Sequence, residues 1–88
     1  GHGLVVPSTE AISLPKIPKE ANVAEIYVRH GPVVYTRDGT SPTATGGFQK
    51  DPMRTIVLNS RSEVLNFKVI SVLELATLDY EYFSDVSG

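Results

Sequence analysis

Few side chains in this sequence have the types and spacing that chemistry needs. His30 closes the run Tyr27-Val28-Arg29-His30 just ahead of Gly31-Pro32. Nucleophilic catalysis requires a nucleophile, a base in reach and a group that orients the base, and no nucleophile-elbow sequence accompanies His30. A place at the rim of a strand is the expectation. Asp79 and Glu81 form a closely spaced carboxylate pair of the kind used for acid–base work on sugars, but the alternation around them puts both on the solvated side of a strand. Asp38 and Asp51 flank a polar loop and are the candidates to converge on a metal, without calcium-loop spacing. Gly46-Gly47 is followed by neither Lys-Ser nor Lys-Thr, so it is no phosphate loop. The expectation is therefore no catalytic residue, no cofactor and no metal site. Tyr27, Tyr35, Tyr80 and Tyr82 could form a binding platform, but three of the four sit in predicted strands, where the ring packs inward and the hydroxyl reaches the rim.

The chain that must position these groups has 88 residues, enough for one domain. A compact chain of this size buries roughly 63% of the surface its unfolded form exposes, so one thin core is available. Hydrophobic residues make up 41% and charged residues 20%, which places the chain among folded globular domains. The apolar runs are too short for a membrane-spanning helix, and with no cysteine there is no disulfide framework, thiolate nucleophile or cysteine-based zinc site. Eight basic residues, scattered singly from Lys16 to Lys68, stand against six acids before Glu74; from there on Glu74, Asp79, Glu81 and Asp85 are unopposed. No basic stripe is available to release counterions, which argues against nucleic-acid binding. Gly1-His2 ahead of Gly3 reads as the remnant of a cleaved affinity tag, and no secretory leader pattern is present.

Residues 1–20 read as an extended N-terminal arm punctuated by Pro7, Pro15 and Pro18, in which Ala11-Ile12-Ser13-Leu14 can pair only at a sheet edge. Residues 21–84 read as one β-domain. Ala24, Ile26 and Val28 alternate with Glu25 and Arg29, which predicts a half-buried strand over 22–30. Val33-Val34-Tyr35-Thr36 predicts the next, Asp38-Gly39 a tight turn, and 40–47 a loop. Residues 54–58 predict a third strand. Ser60 with Glu63 is a capping-box spacing that predicts a short helical turn near residues 60–66. Lys68–Leu73 is apolar on both faces, the mark of a central or interface strand, with Phe67, Val69 and Leu73 on one side. Ala76, Leu78, Tyr80 and Tyr82 alternate with Thr77, Asp79 and Glu81 in the last strand, and 85–88 reads as a frayed tail. The class is all-β, an immunoglobulin-like sandwich of short antiparallel strands, with a small barrel as the alternative.

The segment Val34-Tyr35-Thr36-Arg37-Asp38-Gly39-Thr40-Ser41-Pro42-Thr43 resembles a motif shared by two families. One is the immunoglobulin-like C-terminal module of chitobiases and other secreted glycosidases. The other comprises small β-sandwich structural proteins of tailed phages and prophages. In both, the motif is structural, so the resemblance implies turn roles for Tyr35, Asp38, Gly39, Pro42 and Thr43 and carries over no functional residue. The remainder of 27–83 is similar to the phage type, in which a helical stub such as Ser60-Arg61-Ser62-Glu63 precedes the strand at Phe67-Lys68-Val69-Ile70. The glycosidase module lacks that stub and carries Tyr-x-Gly-Pro after the motif, where this chain has Phe48-Gln49-Lys50-Asp51-Pro52.

The resemblance implies a non-enzymatic virion structural or assembly protein, made in the host cytoplasm and acting through contacts with other virion proteins or with itself. Neither nucleic acid nor membrane is among its expected partners. The alternative is a carbohydrate-binding or spacer module of a secreted enzyme; an unrecognised small enzyme ranks third. Arm residues 4–20 and the strand at 67–73 are the expected contact regions, with Ile12, Leu14, Tyr80 and Tyr82 as the candidate interaction surface.

Overall fold

The computed structural model describes residues 2–43, 46–73 and 75–84. Gly1, Glu74, Asp85 and the expected tail over 85–88 lie outside the described residues. The chain is an all-β sandwich of two antiparallel four-stranded sheets with one short helix. In chain order the elements are β1 (His2–Pro7), β2 (Ile12–Ser13), β3 (Val23–His30), β4 (Val33–Thr36), β5 (Phe48–Lys50), β6 (Thr55–Leu58), α1 (Arg61–Asn66), β7 (Lys68–Ser71) and β8 (Leu75–Phe83). The first sheet runs β1-β8-β3-β6 and the second β2-β7-β4-β5.

These two orders are the same order. Four long segments, 2–13, 23–36, 48–58 and 68–83, each contribute one strand to each sheet, and neighbours in one layer are neighbours in the other. Val28 pairs with Leu78 in the first sheet and Val33 with Ser71 in the second, so β3–β4 and β7–β8 form one long antiparallel ribbon that turns a corner. The sandwich is in effect a single four-stranded sheet folded across its strands, with corners made by bends and bulges. The register shifts between Val28 and His30 at the corner. Gly31 follows at φ +78°, and a Cβ there would lie 2.7 Å from the Leu75 carbonyl oxygen. No other residue type fits that position without displacing backbone.

The alternation of apolar residues fixes which face turns inward. Ala24, Ile26, Val28, Ile56, Leu58, Ala76 and Leu78 from the first sheet and Val33 and Val69 from the second form one buried cluster. At the end opposite the corners both sheets are open. Two crossovers close that end, because segments 2–13 and 23–36 run parallel, as do 48–58 and 68–83, and each connection must pass from one sheet to the other. The helix α1 supplies Val64 to the core and the residue after it supplies Phe67, and the 14–22 crossover supplies Leu14. Arg61 ties the two crossovers together: its Nη1 donates to the carbonyls of Pro18 at 2.9 Å and Ala21 at 2.6 Å.

The helical turn expected near 60–66 is present. Ser60 Oγ accepts from the Glu63 amide at 3.1 Å, and Glu63 Oε1 accepts from the Asn59 amide at 3.0 Å, one residue earlier than in an ideal capping box. Two expectations need revision, and one strand lies outside them. Residues 2–20 do not stand apart as an arm: β1 pairs with β8 from His2 to Pro7, Val6 is buried, and β2 pairs with β7. Phe48–Lys50 forms a short strand, too short to show a period. Leu73 is exposed, since the strand ends at Ser71 and the corner turns its side chain outward.

Two substitutions test the corner and the core. Gly31→Ala should lower unfolding stability in urea by about 2 kcal/mol or more, through a forbidden backbone angle and a backbone clash. Ser71 is buried, and among the described residues its Oγ has no hydrogen-bond partner. Ser71→Ala should leave the urea midpoint unchanged or raise it, because a desolvated hydroxyl is removed with nothing lost. A fall in midpoint would show a bonded hydroxyl.

Candidate functional site

The residues of the turn motif assemble at the open end of the second sheet. Tyr35 lies on the inner side of β4, its ring centroid 5.6 Å from those of Phe48 and Phe67. After Thr36 the chain leaves the ladder. Asp38 folds onto itself: its Oδ1 accepts from the Thr40 amide at 3.1 Å and the Thr40 hydroxyl at 2.6 Å. These bonds hold the Asp38 carboxyl below its ordinary pKa. A depressed carboxylate contributes stability that is present above the unfolded-state pKa and lost as pH falls through the folded-state value. Gly39 takes φ +89° and donates its amide to the Asn66 carbonyl at 3.1 Å, so the turn docks on the end of α1 rather than closing a two-residue hairpin. Thr43 and Gly46 form an isolated bridge, and Pro42 is buried. The loop thereby covers the outer side of β4, where Val34 and Thr36 are buried outside the main core cluster.

This loop, β5 and α1 enclose a groove of about 760 Å³. Arg37, Asp38, Thr40, Ser41, Phe48 and Glu63 line it. The Arg37 guanidinium lies 5.1 Å from the Phe48 ring centroid, and its Nη1 is 3.7 Å from Glu63 Oε2. Both charged side chains are substantially exposed, so the pair orients Arg37 more than it stabilises the fold. Chemically the groove offers hydroxyl, carboxylate and guanidinium groups beside one half-exposed aromatic ring.

The remaining candidates are dispersed. His30 is exposed at the end of β3, where its Nδ1 lies 3.1 Å from the Thr77 hydroxyl. Asp79 is paired with Arg29 on the outer face of the first sheet. Glu81 is directly opposite Glu25 on the same face. Asp38 and Asp51 stand at opposite ends of the β4–β5 ladder and do not converge. Among the described residues, no group of three or more His, Asp or Glu side chains could hold a metal ion, and no helix is long and apolar enough to cross a membrane.

Of the candidate surface of Ile12, Leu14, Tyr80 and Tyr82, two residues are interior and two are half-buried. Leu14 is 5% and Tyr80 9% exposed, both within the core, and Ile12 and Tyr82 pack against it. The 14–22 crossover lies over this end of the sheet, and the Tyr82 hydroxyl donates to the Pro15 carbonyl at 2.5 Å. The apolar residues that do face outward are others: besides Phe48, Met53, Val57 and Leu65, they include Val5 and Leu75, each 59% exposed, and Leu73 at 62%. Val5 pairs with Thr77 and Pro7 with Leu75, so Val5, Pro7 and Leu75 share the outer face beside the β1 edge. The signal was present in the alternation. With Val6 and Ala76 turned inward, Val5 and Leu75 are apolar residues in the wet phase.

No protein-family model, curated protein or solved structure matches this chain.

Burial beneath the crossover, with the neighbouring Tyr80 adding to it, pushes the Tyr82 pKa up from 10.0 to about 12. A raised tyrosine pKa means that the folded state holds its proton longer. The associated stability is present below the unfolded value and is lost as pH climbs from about 10 through 12. Spectrophotometric titration at 295 nm should show one tyrosine ionising well after an ordinary tyrosine, and Tyr82→Phe should remove that late step alone.

Proposed function

We propose that this chain is a non-enzymatic structural or assembly protein of a phage or prophage particle, acting through contacts with other virion proteins or with itself. The observation that carries the contact role is the apolar strip of Val5, Pro7 and Leu75 beside an edge strand. Large apolar side chains grouped on a solvated sheet face lower their free energy when a partner covers them. The virion assignment is supported by the motif at 34–43 and by the helical stub at Arg61–Asn66 ahead of β7. A folded single sheet closed by two tied crossovers suits a component that must hold its shape while neighbours dock.

The groove around Phe48 supports a second reading, a carbohydrate-binding or spacer module of a secreted glycosidase. A half-exposed ring flanked by Asp38, Arg37 and hydroxyl groups is chemistry suited to a sugar. Two experiments separate the readings. Mass spectrometry of particles purified from an induced lysate of the source strain should find this chain at a constant ratio to the major structural protein across gradient fractions. Absence from particles and from their assembly intermediates would overturn the virion reading. Nuclear magnetic resonance titration with a panel of soluble glycans should leave Phe48 and Tyr35 unmoved; saturable shifts centred on them would favour the second reading.

A further inference from the structure

The two sheets have four edges, and three are blunted. The edge strand β2 has two residues and is followed closely by Pro15; β5 has three and ends in Lys50; β6 has four and is preceded by Arg54. Short length, proline and flanking charge are the devices that keep an edge from pairing with another chain. The fourth edge has none of them along most of its length. The strand β1 has six residues, and Gly3-Leu4-Val5-Val6 carries no charge and no proline. On the outer face its cross-strand neighbours are Leu75 opposite Pro7, Thr77 opposite Val5 and Asp79 opposite Gly3, so the apolar outer residues gather toward the Pro7 end.

We propose that β1 is the site of self-association, pairing antiparallel with β1 of a second copy about a two-fold axis near Val5 to join the two first sheets into one of eight strands. The proposal rests on the protein-contact reading above and names its partner. A second copy fits because an antiparallel edge is self-complementary under a two-fold axis: each strand offers the other the same row of amides and carbonyls. Charge agrees. The acids of this face are one strand in from the seam: Asp79 stands opposite Gly3 of β1 and is neutralised by Arg29, and Glu81 lies opposite Glu25 of β3. With the axis at Val5, the partner's Pro7 stands beside Gly3 and Val5 meets its own counterpart. The seam therefore joins two uncharged strips, and no like charges are brought together even though each chain carries a net charge of −2.

The sheet also allows a two-fold pairing of β6 with β6 and a head-to-tail pairing of β1 on β6 of the next copy, which does not close. Sedimentation equilibrium across a range of concentrations distinguishes these. The wild-type chain should rise from the single-chain mass to twice that mass and stop. Val5→Lys, on an outward position of the edge strand, should stay at the single-chain mass with unchanged circular dichroism, and Val57→Lys on β6 should dimerise like the wild type. A wild-type chain that stays monomeric at the highest concentration, a mass that climbs past two chains, or a Val5→Lys variant that still dimerises overturns the proposal. Hydrogen exchange on the wild type covers the case in which Val5→Lys fails to fold: protection of the 3–6 amides should grow with concentration, and concentration-independent exchange there overturns it. Failure here is distinct from failure of the virion reading. A chain found in particles but monomeric in solution removes only the self-pairing, and a dimer absent from particles removes only the virion role.

Discussion

The fold depends on one constraint: each long segment must serve both layers, so the core can exist only if every segment turns at the same level. The turn at Gly31 leaves no room for a side chain, because the backbone of Leu75 and Ala76 occupies the space a Cβ would take. A folded sheet has one closed and one open end, and the open end would expose the middle of a thin core. The two crossovers cover it. Phe67 and Val64 come from one side and Leu14 from the other, and Arg61 joins the crossovers through two backbone carbonyls. Hydrogen bonds from a charged donor are the stronger kind, each worth about 1.5–3 kcal/mol, which is a large share of the stability a chain of this length can hold.

This constraint also explains where the exposed features fall. Residues at the open end are committed to closing it: Tyr82 bonds to Pro15, Glu63 caps α1 while approaching Arg37, and Gly39 docks on Asn66. The groove beside Phe48 is what remains between those contacts. At the sides, the first and third segments are left as edges. Their difference in length and charge makes one edge guarded and the other open to pairing, and the apolar strip lies on the open side.

Much of the fold was legible because the period of two is strong in the central segments. Ala24-Ile26-Val28 and Ala76-Leu78-Tyr80 announce both the strands and the inward face, and Ser60 with Glu63 announces the helical turn. What was not legible depends on long-range pairing. Nothing local in Gly3-Leu4-Val5-Val6 distinguishes a loose arm from a strand completed by residues seventy positions later. The same ignorance misplaced two residues of the candidate surface. Leu14 and Tyr80 are apolar in segments that end near a terminus or a proline; Leu14 is interior because the crossover that carries it folds over the open end, and Tyr80 because it continues the inward face of β8. The turn motif was legible as a turn but not as a lid, because its target is the outer side of β4 and the end of a helix that follows much later in the chain.

Native-state hydrogen exchange under mild denaturant tests the central claim most directly. If one folded sheet underlies both layers, the β3 and β8 amides of the first layer and the β4 and β7 amides of the second open together, with one free energy and one denaturant slope. Two separated openings, with β4 and β7 released while β3 and β8 stay closed, would mean that the layers are independent sheets and would contradict the account.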